Sequence, residues 1–236
     1  MQSTQFAIAF LIGLVPALFW LWFWLREDSA KPEPRYLIVS AFIAGMAVVP
    51  LVLPLQKLAL ELFVGQNLIF VWVILEETLK YAAALIVVLW HSEVDEPIDL
   101  IIYMIAIALG FAALENTLFV WNPLQNGDLA NTVLTSNFRF LGATLLHVLA
   151  SGTVGAMMAL AYYKKPAVKL IYGTIGLFIA IILHGLFNLY IMDATNGLTI
   201  LSVFLFVWMG IIILFLVFEK VKLLERNHKR ALKHTL

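Results

Sequence analysis

The 236-residue chain is 63% hydrophobic and 13% charged, and its formal net charge is zero. A water-soluble domain carries about half apolar and about a quarter charged residues, so the surplus apolar surface has to face lipid. Zero net charge argues against a nucleic-acid partner, which would want a basic face, and the absence of cysteine excludes disulfides, thiol nucleophiles and thiolate metal sites.

A bilayer core takes about 20 apolar residues per helix. Hydropathy divides the chain into seven such runs, at 3–25, 36–55, 67–90, 100–122, 138–163, 170–192 and 198–218. This predicts an all-α polytopic membrane bundle of about seven transmembrane helices, forming a single domain over 1–236. The first run has no basic residue ahead of it, is too long for a signal core and ends at Arg26 without a small-residue cleavage site, so it is expected to stay as an anchor. Trp20, Trp22 and Trp24 at its far end are expected to form an aromatic belt at the headgroups.

The connections carry turn residues: Lys31 to Pro34, Glu93 to Pro97, Asn122-Pro123 with Asn126 to Asp128, Lys164 to Pro166, and Asp193 to Gly197. Residues 54–66 suggest a helix lying in the interface, with Lys57 and Glu61 on its polar face and Leu58, Leu62 and Phe63 on the other. Asp99 and His91, at span ends, are expected to face inner water. With the N-terminus outside and seven spans, twelve of the fifteen basic residues fall on the inner side: Arg26, Lys31, Arg35, Lys164, Lys165, Lys169 and six in a basic cytoplasmic tail at 219–236. The positive-inside rule therefore selects N-out, C-in. Lys57 lies in an outer loop, Arg139 at an outer helix end and Lys80 inside a span. The tail reads as a topology anchor, and its His228 and His234 carry no implied function.

The informative residues are those that lipid should exclude. Glu76, Glu77 and Lys80 lie in the third span, Glu115 and Asn116 in the fourth, His147 in the fifth, and His184 with Asn188 in the sixth. A charge at the bilayer centre costs roughly 2.5–3.5 kcal/mol of insertion, so such residues face a cavity or one another. Counted from the expected outer span ends, Glu76, Glu115, His147 and His184 all fall about 10–14 Å deep at 1.5 Å per residue. Four helices of alternating direction thus deliver carboxylates and imidazoles to one layer. Glu77 to Lys80 is an i,i+3 pair and Glu76 to Lys80 an i,i+4 pair, so one ammonium can neutralise one carboxylate. Adjacent carboxylates diverge by about 100° around the helix, so one is expected to do chemistry while the other is held. His184 and Asn188, also i,i+4, present two donors side by side, as an oxyanion requires. Ser151, Gly152, Gly155 and Ala156 read as a small-residue packing face.

Glu76-Glu77-Thr78-Leu79-Lys80, Phe111 to Glu115-Asn116, His147 followed by Gly155, and His184 to Asn188, in that order, resemble the PrsW family of intramembrane proteases, within the CAAX-prenyl protease and bacteriocin-processing superfamily. The resemblance covers a protease-like core at 67–192. It implies a bacterial cell-membrane endopeptidase that cuts membrane-anchored proteins, anti-sigma factors among them, first near the outer face. It also implies glutamate-activated water: Glu76 as general base, Glu77 and Lys80 as its neighbours, and His184 with Asn188 on the oxyanion. CAAX-prenyl proteases carry a histidine where this chain has Glu115, with His147 supplied from the next span. Either His147 moves into that histidine's role, or Glu115 orients the imidazole. Asn116 and Lys80 are expected to support the site.

Other chemistries fit the same residues. Glu76, Glu115, His147 and His184 are a zinc-compatible set, although no H-E-x-x-H signature is present, and the expectation is a site without cofactor. A proton- or ion-coupled carrier uses such groups too, but the polar residues form one layer and no repeat of interrupted helices is visible. A non-catalytic membrane scaffold would use the layer only to hold a partner helix.

Overall fold

The computed structural model describes residues 2–27, 31–194 and 196–234, so Thr195 of the Asp193-to-Gly197 turn and the last two residues of the basic tail lie outside the described residues. The described residues form α1 (Gln2–Glu27), α2 (Arg35–Leu62), α3 (Gly65–Val87), α4 (Asp99–Gln125), α5 (Leu129–Phe138), a π-helical turn (Arg139–Ala143), α6 (Thr144–Leu160), α7 (Pro166–Met192) and α8 (Gly197–His234). Six helical segments among them are long and apolar enough to cross a membrane, α5 through α6 counting as one of 32 residues. The 23-residue α3 stands apart from those six because Glu76, Glu77 and Lys80 lie within it. The chain is thus an all-helical polytopic bundle.

The contacts at its two ends show how the helices run. At one end Lys31 pairs with Asp95, the Tyr162 hydroxyl donates to the Val94 carbonyl (3.1 Å), Lys229 pairs with Glu96 (2.9 Å) and Tyr163 stacks on His228. At the other end the start of α1 meets the end of α4, where Gln5 Nε2 donates to the Leu124 carbonyl and Phe6 packs edge-on against Trp121. The beginning of α1 and the last turns of α8 therefore lie at opposite ends, which requires an odd number of passes. With α3 as the seventh, the count is met.

The centre of the bundle is α4. Of its apolar window 89% is buried inside the protein, against 22% for α8. It packs against α1, α2 and α6, which explains why Leu100 to Ala113 are apolar all round instead of striped. Close approach is made possible by glycine: a Cβ on Gly45 would lie 2.0 Å from the Ile107 carbonyl oxygen, and one on Gly110 would lie 1.9 Å from that of Phe42. In lipid, where helices associate through packing rather than water exclusion, such backbone contact holds α2 on α4. Gly110→Val should force these helices apart and lower the thermal unfolding temperature of the detergent-solubilised protein, overpacking of this kind costing about 1–3 kcal/mol or more. Gly155 does the same for α6 against α4, its Cβ position lying 2.5 Å from the Leu100 carbonyl, as expected for the small-residue face.

Several expectations are corrected. Residues 54–62 are no separate interfacial helix: they continue α2 through Pro50 and Pro54. The chain then reverses over extended Phe63 and Val64 into Gly65, whose φ of +59° suits glycine. The fifth span begins at Leu129, not 138, so the depth reckoned for His147 used the wrong end. Asp128 caps α5, its side chain accepting from the Asn131 backbone N–H (3.0 Å) and amide, which holds its carboxyl below the usual range. Of the three tryptophans expected in that belt, Trp22 alone is exposed. Trp20 and Trp24 are buried, Trp24 stacked on Phe215 with ring centroids 4.5 Å apart, so two of the expected belt residues bind α1 to α8. Asp99 does not face water: fully buried, it accepts from the backbone N–H groups of Asp95 (2.9 Å) and Glu96 (2.7 Å) and shapes the 91–98 loop. The basic tail continues α8 as helix to His234.

Candidate active site

Four helices and the π turn bring their excluded polar residues to one place. Glu76, Glu77 and Lys80 come from α3, Glu115 and Asn116 from α4, Arg139 from the π turn, His147 and Ser151 from α6, and His184 and Asn188 from α7. They border a cavity of about 640 Å³ whose wall includes Glu76, Glu115, Arg139, His147, His184 and Asn188, with Val49, Val52, Phe111, Phe119 and Phe187 supplying apolar surface. The expected common layer is thus realised as direct contact.

Adjacent Glu76 and Glu77 diverge as helix geometry requires. Glu77, 1% exposed, is saturated: it pairs with Lys80, accepts from His184 Nδ1 at 2.7 Å and lies 3.5 Å from the Ser151 hydroxyl. Ser151, read as packing alone, therefore also touches the polar set. Glu76 lines the cavity. Its Oε1 accepts from Gln56 Nε2 of α2 at 2.8 Å, while Oε2 is buried with no hydrogen-bond partner among the described residues and faces His184 Nε2 across 3.8 Å. Burying an unpaired carboxylate oxygen is unfavourable unless something else meets it.

Donor and acceptor roles follow from the partners. Lys80, fully buried and ion-paired to Glu77, is an ammonium with donors only, so His147 Nδ1, 3.1 Å away, must accept. The His147 proton then sits on Nε2 and is donated to Glu115 Oε2 at 3.0 Å. Glu115 is also paired with Arg139. Of the two arrangements open for His147, the geometry matches the one in which Glu115 holds the imidazole. His184 is held by the other glutamate: its Nδ1 meets the Glu77 carboxylate at 2.7 Å, which turns Nε2 towards the cavity and Glu76. His184 and Asn188 both border the cavity from one face of α7, as their i,i+4 spacing predicts. Asn116 donates to Thr144 Oγ1 (2.9 Å) and accepts from Arg139.

Glu76, His147 and His184 offer ligand atoms within 4.8 Å of one another. By type two nitrogens and one carboxylate suit a catalytic metal. The hydrogen bonds do not: His147 Nε2 carries a proton bound to Glu115, and the Lys80 ammonium beside Nδ1 opposes the tautomer that a ligand would need. His184, with Nδ1 on Glu77, keeps the contact that a metal-bound imidazole makes, whereas His147 as arranged does not fit as a third ligand.

Sequence reasoning missed two contributors. Gln56 was hidden in a supposed interfacial helix and carried no signal. Arg139 carried one, being the basic residue that a positive-inside count places near the outer face.

A polytopic bundle that buries carboxylates and imidazoles around a cavity defines an integral membrane protein with an enzyme-like site. A family profile described as PrsW family intramembrane metalloprotease matches residues 33–217. Among curated relatives, Protease PrsW of Bacillus subtilis is 25% identical over 201 residues, covering 83% of this chain and 88% of the relative. The protein of the same name from Oceanobacillus iheyensis is 27% identical (82% and 87% covered), and that from Geobacillus kaustophilus is 31% identical (61% and 62% covered). No solved structure matches. The chain belongs to the PrsW family of intramembrane proteases.

Proposed function

We propose that this protease hydrolyses membrane-anchored substrates with water activated by Glu76, without a metal. The observation that carries the reading is that Glu76 Oε2 and His184 Nε2 face each other 3.8 Å apart on the cavity wall. That separation is too long for a direct hydrogen bond and suits a water held between them. As the water oxygen attacks the scissile carbonyl carbon, its proton passes to Glu76. The Asn188 amide donates to the oxyanion, and Glu76 returns the proton to the amide nitrogen as the C–N bond breaks, leaving a carboxyl and an amine. Glu77 holds the His184 ring, and Glu115 and Lys80 fix the tautomer of His147.

Position in the membrane supports an outer-side cut. Counted from the helix ends, Glu76 lies 11 residues from Gly65 and His184 eight from Met192, about 16 and 12 Å from the end opposite the basic loops. The basic end is cytoplasmic by the positive-inside rule, which makes the chain N-out and C-in. Single-span proteins of the bacterial plasma membrane, such as anti-sigma factors, are the fitting substrates. The metal-free mechanism is tested by assaying purified protein on a single-span substrate in strong chelator, with parallel metal analysis. Cleavage should persist with less than one metal ion per chain. Loss of cleavage, restored by adding zinc, would overturn the glutamate mechanism and make Glu76 and His184 ligands.

A further inference from the structure

We propose that Arg139 is a positioning residue of the site, placed there by the π-helical turn that it begins. The proposal rests on the reading that Glu115 and His147 belong to the catalytic arrangement. Arg139 is gripped by three residues on one side of α4: its Nη2 donates to Glu115, its Nε donates to Asn116 Oδ1, and its guanidinium lies over the Phe119 ring at 3.9 Å. Through Glu115 it reaches His147 Nε2.

Register makes this possible. Arg139 and His147 are eight residues apart, which in an uninterrupted α-helix would set them about 80° apart in azimuth. A π turn closes i to i+5 and so absorbs one extra residue, about 100° of rotation. Eight residues then act as seven, leaving the two side chains about 20° apart on one face. Packing holds the turn in place, since a Cβ on Gly142 within it would lie 2.6 Å from the Phe204 ring.

The charge of Arg139 matters as much as its reach. Glu76, Glu77 and Glu115 face two cations, Lys80 and Arg139. Lys80 neutralises Glu77 and Arg139 neutralises Glu115, which leaves Glu76 as the one carboxylate without a cation. Removing Arg139 would place a second uncompensated carboxylate on the same cavity wall and compete for the water's proton.

The test is a charge-balanced mutant cycle on single-span substrate cleavage. Arg139→Gln should lower kcat about 10–100-fold with KM nearly unchanged, as for other residues that orient a catalytic group. Arg139→Lys, which keeps the charge but not the fork, should fall between it and the native protein. Glu115→Gln still accepts from His147, so Arg139→Gln/Glu115→Gln should recover at least tenfold over Arg139→Gln alone. A double mutant no better than the single one, or a loss tracking only reduced folded protein, would overturn the proposal. Glu76→Gln, assayed alongside, keeps the two readings separate: its full activity would refute the Glu76 mechanism, whereas an inactive Glu76→Gln with an unimpaired Arg139→Gln would refute only the role of Arg139.

Discussion

Glu76→Gln is expected to lower cleavage of a single-span substrate by about 10²–10⁴-fold, the contribution of a positioned general base. The carboxamide keeps the shape of the carboxylate, and its oxygen can still accept from Gln56, so the cavity is preserved. What is lost is the capacity to take a proton from water held against His184. Stability should move the other way. Glu76 has no cation partner and one buried oxygen without a hydrogen bond, so replacing it removes an unfavourable buried charge. The thermal unfolding temperature of the variant in detergent should equal or exceed that of the native protein. Near-native cleavage by Glu76→Gln would show that this carboxylate is not the base. An inactive variant that is also largely unfolded would show that Glu76 serves the fold.

Lys80→Met should show the reverse pattern and the largest loss of stability in the site. Lys80 is fully buried, paired with Glu77 and bound to His147 Nδ1, and its ammonium lies 4.7 Å from the Phe111 ring centre. Removing one partner of a buried pair leaves the other charged in a medium that cannot solvate it, a penalty of about 3–5 kcal/mol. Unfolding in detergent should shift strongly downward and the yield of folded protein should fall. Adding Glu77→Gln removes the orphaned charge and should recover most of the fold, because a buried pair replaced as a unit is close to neutral. Cleavage should stay low in the double variant, since His147 Nδ1 has lost its donor and Glu77 no longer presents a charged acceptor to His184. Native stability in Lys80→Met would mean that the pair contributes nothing to folding.

Much of the site was legible before any coordinates, for a physical reason: charges inside apolar spans are unfavourable, so each one points to a partner. Glu76, Glu77, Lys80, Glu115, His147 and His184 could be found in this way, and all of them meet. Polar residues without a charge gave less contrast. Gln56 could not be told from a loop residue, because its contact with Glu76 depends on α2 running unbroken through Pro54 to Leu62. The tryptophans misled because an indole suits the headgroup region and a helix interface equally well, and only the neighbouring Phe215 decides for Trp24.

By itself, the sequence determined the class of molecule, the membrane-crossing runs, the basic end and the helices that carry carboxylates and imidazoles. These follow from the solvation of side chains in lipid, a property that each segment has alone. Only the tertiary structure decided that Glu77 is saturated while Glu76 keeps one oxygen without a hydrogen-bond partner, that His147 and His184 are held by different glutamates, and that Arg139 enters the site. Those outcomes depend on which donor from another helix comes within about 3 Å, and on a one-residue change of helical register that no local hydropathy pattern records.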